Sequence, residues 1–179
     1  MKQLRQMDKN TIIGIIATCI IVITLVYSGW NIYALGNLQV RGTSEEGFRF
    51  FEMINDGTVE ICNPSPFFVN FKKFNIIMNF DGAPKGTFAV ESATLSPYSS
   101  RATKGTFTSD TYSEAQYYAM HFDGMFHGDV PERIDPRKLL IITQVEVPII
   151  GVIPYTVTNQ YSGLYFWEIL NGNVGEFSC

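Results

Sequence analysis

The chain is 179 residues long, 46% hydrophobic and 17% charged, with a formal net charge of −4 at pH 7. That length accommodates one ordinary core plus an appendage, and leaves no room for a second large domain. Beyond the first ten residues, ten basic side chains stand against sixteen acidic ones; Lys72-Lys73 and Arg137-Lys138 are isolated pairs rather than a phosphate-tracking stripe, which argues against a nucleic-acid partner.

No charged residue occurs between Lys9 and Arg41. Residues 11–29, TIIGIIATCIIVITLVYSG, are apolar on every face, and the run matches the roughly 20-residue helix that crosses hydrocarbon. Tyr27, Trp30 and Tyr33 cluster at its end, as amphipathic rings do at a headgroup boundary. Lys2, Arg5 and Lys9 precede the segment, which predicts a cytoplasmic amino terminus and an outward-facing remainder. The expected organisation is a basic tail (1–10), a transmembrane helix (11–34), a stalk (35–47) and a folded domain (48–179). Ala34-Leu35-Gly36 has the small-x-small form of a signal-peptidase site, but the apolar run before it exceeds a usual signal core. Lipidation at Cys19 is disfavoured, because too short an apolar run precedes it.

From residue 48 the vocabulary is that of strands, with turn residues at short intervals. FRFFEM and TVEIC flank Asn55-Asp56-Gly57, which predicts a hairpin. Asn63-Pro64-Ser65-Pro66 then breaks the pattern, because proline cannot donate to a ladder; the break is read as a crossing between two sheets. FVNFKKFNIIMNF resumes as a strand ending at Asp81-Gly82. Its apolar side chains alternate as Val69 and Phe71, then Phe74, Ile76 and Met78, which predicts a bend or bulge at Lys72-Lys73. GTFAVES and SSRATKGTFT give two more strands around a Ser96-Pro97 turn.

Thr111-Tyr112-Ser113-Glu114 has the form of a capping box, followed by Ala115, Tyr118, Ala119 and Phe122 at helical spacing. A helix of about ten residues, ending at Gly124, is predicted. KLLIITQVEV suits a central strand closed by Pro148, IPYTVTNQYSG its return, and LYFWEIL a last strand. Together these predict an all-β fold, a two-layer sandwich with one short helix behind a single transmembrane helix.

Several of these parts share an order with a known family: Asn63-Pro64 ending an early strand, the strand to Asp81-Gly82, the Gly86 strand, the short helix, TQVEVPIIGVIPYTVT and the final Tyr-Ser-Gly. Over residues 48–164 the chain resembles the LEA14-type domain of the second late-embryogenesis-abundant group, also called the water-stress and hypersensitive-response domain. The resemblance implies an immunoglobulin- or fibronectin-III-like sandwich behind a membrane anchor, with a structural, binding or stress-associated role and no catalytic residues. The high aromatic content of the strands and the terminal Cys179 depart from that pattern.

Candidate chemistry is sparse. His121, Asp123, His127 and Asp129 fall within nine residues, and in an extended segment all four would share one face and suit Zn²⁺ or Cu²⁺. Gly124 and Gly128 interrupt the run, so a solvated loop after a helix is the favoured alternative. No nucleophile elbow, phosphate loop or dinucleotide fingerprint occurs. Cys62 and Cys179 are candidates for a disulfide in an oxidising compartment; the alternative is a buried free Cys62 and a free Cys179. Tyr112, Tyr117, Tyr118 and Tyr161 are candidates for an exposed contact patch. The sequence therefore predicts a non-enzymatic, cofactor-free module, held in the lipid bilayer through residues 11–34, that binds a protein partner or assembles with itself and faces out of the cytoplasm. Two other readings stand beside it: a metal-binding or redox subunit using His121 and His127, and a carrier for lipid or another apolar molecule.

Overall fold

The computed structural model describes residues 8–43, 47–149, 153–172 and 179, and of Asp56 the backbone alone. The described helices are α1 (Lys9–Gly36), α2 (Phe50–Asp56), α3 (Tyr112–His127) and α4 (Gly163–Leu170). The described strands are β1 (Gln39–Gly42), β2 (Thr58–Asn63), β3 (Val69–Phe80), β4 (Ala83–Leu95), β5 (Ser99–Thr108), β6 (Leu139–Ile149) and β7 (Ile153–Ser162). They pair in the single order β1-β2-β5-β4-β3-β6-β7, all antiparallel. Hydrogen bonding thus joins in one curled sheet the strands that the sequence assigns to two layers. The curl centres on β5, which pairs with β2 from Ser99 to Lys104 and with β4 from Gly105 to Thr108.

The β3–β4 ribbon explains how one sheet can enclose a core. Val69 and Phe71 are buried on β3, and then Phe74, Ile76 and Met78. On β4 the partners Leu95 and Ala93 are buried, and then Val90 and Phe88. Both strands therefore change buried face together, at Lys72-Lys73. The pairing is the same on either side of that point, Phe71 with Ala93 and Phe74 with Val90, and the register shift lies instead between Met78 and Asn79. The ribbon buries one face at its first end and the other face beyond, as a strongly coiled sheet does. At its tip Asp81 and Gly82 both have positive φ, 53° and 79°, the geometry of a tight two-residue hairpin.

Two glycines face aromatic rings where this ribbon meets β5. A Cβ on Gly105 would run into the ring of Phe88, and one on Gly86 into the ring of Phe107. Phe88 is fully buried whereas Phe107 is half-buried, so only Phe107 has room to swing aside. Gly105→Ala is expected to cost about 2–3 kcal/mol through overpacking and Gly86→Ala less than about 1. Thermal unfolding of the two variants in detergent checks this order.

The Asn-Pro-Ser-Pro break is held by a buried asparagine. Asn63 Nδ2 donates to the carbonyls of Phe67 (2.7 Å) and Ser96 (3.0 Å), and its Oδ1 accepts from Ser65 N (3.1 Å) and Ser65 Oγ (2.7 Å). Tyr98 N donates to Ser65 O. The two connections, β2 to β3 and β4 to β5, are therefore tied to one another at the same end of the sheet.

Four expectations are corrected. FRFFEM with Asn55-Asp56 is not the first arm of a hairpin: Phe50–Asp56 is helical, because Phe50, Met53 and Ile54 fall at the i, i+3, i+4 spacing that turns one face inward, and all three are buried. LYFWEIL is helix α4, capped by Ser162 Oγ, which accepts from Tyr165 N. Helix α3 runs past Gly124 to His127 and stops at Gly128, whose φ of 81° is the left-handed helix-ending conformation. Gly124 is kept because a Cβ there would press on Val130, and Thr111 makes no side-chain cap. Last, part of the expected stalk is strand β1, paired with β2 from Gln39 to Gly42.

Candidate functional site

Helix α1 carries an unbroken apolar run long enough to cross a membrane. Its last turns do not leave the folded body but pack into it. Ser28, Asn31, Ala34 and Leu35 are buried, at the spacing of a single helical face. Asn31 Nδ2 donates to Asn70 O (3.0 Å), and Asn70 N donates to Asn31 Oδ1 (2.9 Å). An asparagine in this way satisfies both backbone groups of Asn70 just inside β3, groups whose burial would otherwise cost free energy. Beside it the Trp30 ring stacks on Phe67 with centroids 4.9 Å apart.

Where α1 ends, a cleft of about 320 Å³ opens between its last turn, β1, α4 and the inner face of β3, β6 and β7. Leu35, Leu38, Phe74, Val145 and Phe166 supply apolar walls, and Thr143, Asn159 and Tyr161 supply polar atoms. Lys, Arg, Asp, Glu and His are absent from the described lining. Burial pushes the Tyr161 hydroxyl above its ordinary value, against a hydrogen bond with Thr143, so it stays protonated at neutral pH. The chemistry on offer from the described lining is burial of an apolar group with one or two hydrogen bonds.

A second buried polar centre is structural. Asp123 is 7% exposed, and its two oxygens accept from Phe50 N (2.8 Å) and Phe51 N (2.9 Å). Helix α2, which Arg49 leaves without a side-chain cap, is thus capped across space by α3, with the charge at the positive end of the helix. Burial pushes the Asp123 carboxyl up to about 6, against those two N–H groups and nearby His127 and Arg49.

The four proposed metal ligands do not converge. The His121 ring lies tilted against Tyr117 with centroids 4.5 Å apart, and Asp123 is taken up by α2. His127 meets Asp123 O through Nδ1 and the edge of Trp167, and Asp129 lies beyond the helix end. Helical rather than extended backbone accounts for this, since positions two apart on a helix point to different sides. The tyrosines are likewise dispersed. Tyr112 and Tyr117 are exposed on α3, Tyr118 packs on Phe80 at 4.4 Å, and Tyr161 lines the cleft. Cys62 and Cys179 are joined by a disulfide with Cα atoms 5.9 Å apart. Asn31 and Thr143 emerge as buried polar residues only in the fold; the signal available in the sequence was a lone amide, Asn31, inside the aromatic cluster Tyr27, Trp30 and Tyr33.

No family model matches the chain, and no curated protein matches it. Among solved structures, a crystal structure of a protein from Archaeoglobus fulgidus aligns at 8% identity over 70% of this chain and 94% of its own, with a TM-score of 0.31. Similarity at that level supports no statement about fold or function.

Proposed function

We propose that the chain is a membrane-anchored, non-catalytic binding module, with α1 in the bilayer and the β-rich body outside the cytoplasm. The observation that carries this reading is the Asn31–Asn70 pair. It makes the end of the anchor part of the body's own core, so that cleavage after Gly36 would remove Asn31, Ala34 and Leu35 from buried positions. Two features support the orientation: the basic residues Lys2, Arg5 and Lys9 before the span, and the Cys62–Cys179 disulfide, which persists in oxidising compartments. The partner switch of β5 supports an immunoglobulin-like, two-layer reading of the curled sheet, as the LEA14-type resemblance implies.

The cleft favours an uncharged ligand with an apolar body and a single polar end, a lipid-like molecule or the apolar segment of an envelope partner. Native mass spectrometry of full-length protein released in mild detergent tests this. A bound mass is expected on the wild type and is expected to be lost from Val145→Trp, whose ring would fill the cleft, while an unliganded wild type would sink the ligand reading. Asn31→Ala is expected to leave two backbone groups of β3 unpaired and to lower stability by about 2 kcal/mol, read as a lower melting temperature in the same detergent.

A further inference from the structure

We infer that the body rests on the bilayer surface through the loops at one end of its sheet, so that its membrane contact extends beyond α1; this rests on the reading of α1 as the membrane span. Helix geometry fixes the level of the surface. Starting from the uncharged residues just after Lys9, about 20 residues at roughly 1.5 Å each cross a hydrocarbon core of about 30 Å. That distance ends at Trp30. Whatever touches Trp30 from the body therefore lies at the headgroup boundary, and what touches it is Phe67, in the connection from β2 to β3.

The other connections at this end lie at the same depth. Asn70 is bonded to Asn31, and Val69 pairs with Leu95, so the Ser96–Tyr98 turn begins level with it. Carrying the β3–β6 register beyond Lys73 and Glu146 brings Ile149 level with Asn70, and Ile149 pairs with Ile153. The helix continues inward from Asn31 to Leu35, which lines the same cleft as Phe74 and Val145 deeper in the sheet. Its amino-terminal part therefore leaves the body past these loops, on their side.

The composition of the two ends differs in the way a bilayer contact requires. Residues 64–68, PSPFF, and 96–98, SPY, contain no charged side chain. Phe68 is 54% exposed, Tyr98 62% and Ile153 57%. Tyr98 holds φ at 50° at its turn tip, a conformation that glycine or asparagine would adopt at lower cost, so an aromatic is retained there against local preference. At the opposite end the turns are charged: Asp81 pairs with Lys138 at 3.0 Å, and Asp135 with Arg137 at 3.1 Å. Uncharged loops that carry exposed aromatic rings, level with the aromatic end of the anchor, match the interfacial belt of membrane proteins.

Hydroxyl-radical footprinting of the unaltered full-length protein in phosphatidylcholine nanodiscs tests the inference. Tyr117, 53% exposed on α3 next to Tyr118 and so near Phe80 at the far end of β3, is the internal reference. Tyr98 and Phe68, at least as exposed in the protein alone, are expected to be labelled several-fold less than Tyr117. Equal labelling of Tyr98 and Tyr117 would overturn the inference and leave the anchor intact. An alkaline carbonate wash of vesicles carrying the same protein separates the two failures: release of the chain removes the spanning helix and the inference with it, whereas retention with an unprotected Tyr98 removes the inference alone.

Discussion

Asp123→Ala is expected to destabilise the protein by about 2–4 kcal/mol near pH 7, because two backbone N–H groups at the start of α2, one buried and one partly buried, lose their acceptors together. The test is thermal unfolding of the full-length chain in detergent. Helix α2 has seven residues, too few to persist without tertiary support, so its loss would expose Phe50, Met53 and Ile54 as well. Asp123→Asn separates capping from charge, since the amide keeps one acceptor and cannot ionise.

The pH dependence has a definite sign. In the folded protein the Asp123 carboxyl titrates near 6, against an ordinary value of 3.8. Between these values the folded state holds the proton more tightly than the unfolded chain, so stability falls as pH rises through that window. A gap of this size corresponds to about 3 kcal/mol. Wild type is therefore expected to lose stability from pH 4 to pH 6.5 through this group, and Asp123→Asn to lack that slope. Identical pH profiles for the two proteins would show that Asp123 is not the group responsible.

Loss of the disulfide has the other large effect. Cys62 and Cys179 are 117 positions apart in the chain, and closing a loop of that length restricts the unfolded ensemble by about 3–5 kcal/mol. Cys179→Ser is expected to lower the melting temperature by roughly 10–15 °C, with little change in near-UV circular dichroism at 20 °C. A variant that melts at the wild-type temperature would show that the tether adds nothing to stability.

The Asn31 and cleft experiments in detergent and the footprinting in nanodiscs bear on different residues. Asn31 and the cleft report on how anchor and body are joined, whereas Phe68 and Tyr98 report on what the body touches. These are separable because the buried Asn31 acts through the backbone of Asn70 on β3, while Phe68 and Tyr98 are exposed and contribute little to the core. Charge placed at the loop tips is thus expected to change the lie of the body on the bilayer without unfolding it.

Patterns confined to a few neighbouring residues were legible in the chain. The charge-free run that forms α1, the Asp81-Gly82 turn, and the alternation of Val69 and Phe71 with Phe74, Ile76 and Met78 each follow from side-chain chemistry at fixed spacing. The same local rules failed for Phe50–Asp56 and Gly163–Leu170. Short apolar aromatic runs suit either backbone; the distant Asp123 caps the first as a helix, and the neighbouring Ser162 caps the second. His121 and Asp123 looked alike as ligands in sequence, and tertiary packing gave one to Tyr117 and the other to the start of α2. The sequence by itself determined that a greasy helix precedes a strand-rich body, because hydrophobicity and β-propensity are properties of neighbouring residues. Only the tertiary structure decided that helix and body share a core, through Ala34 and Leu35, and are bonded by Asn31 and Asn70, because that bond joins residues 39 positions apart and leaves no periodic trace in the chain.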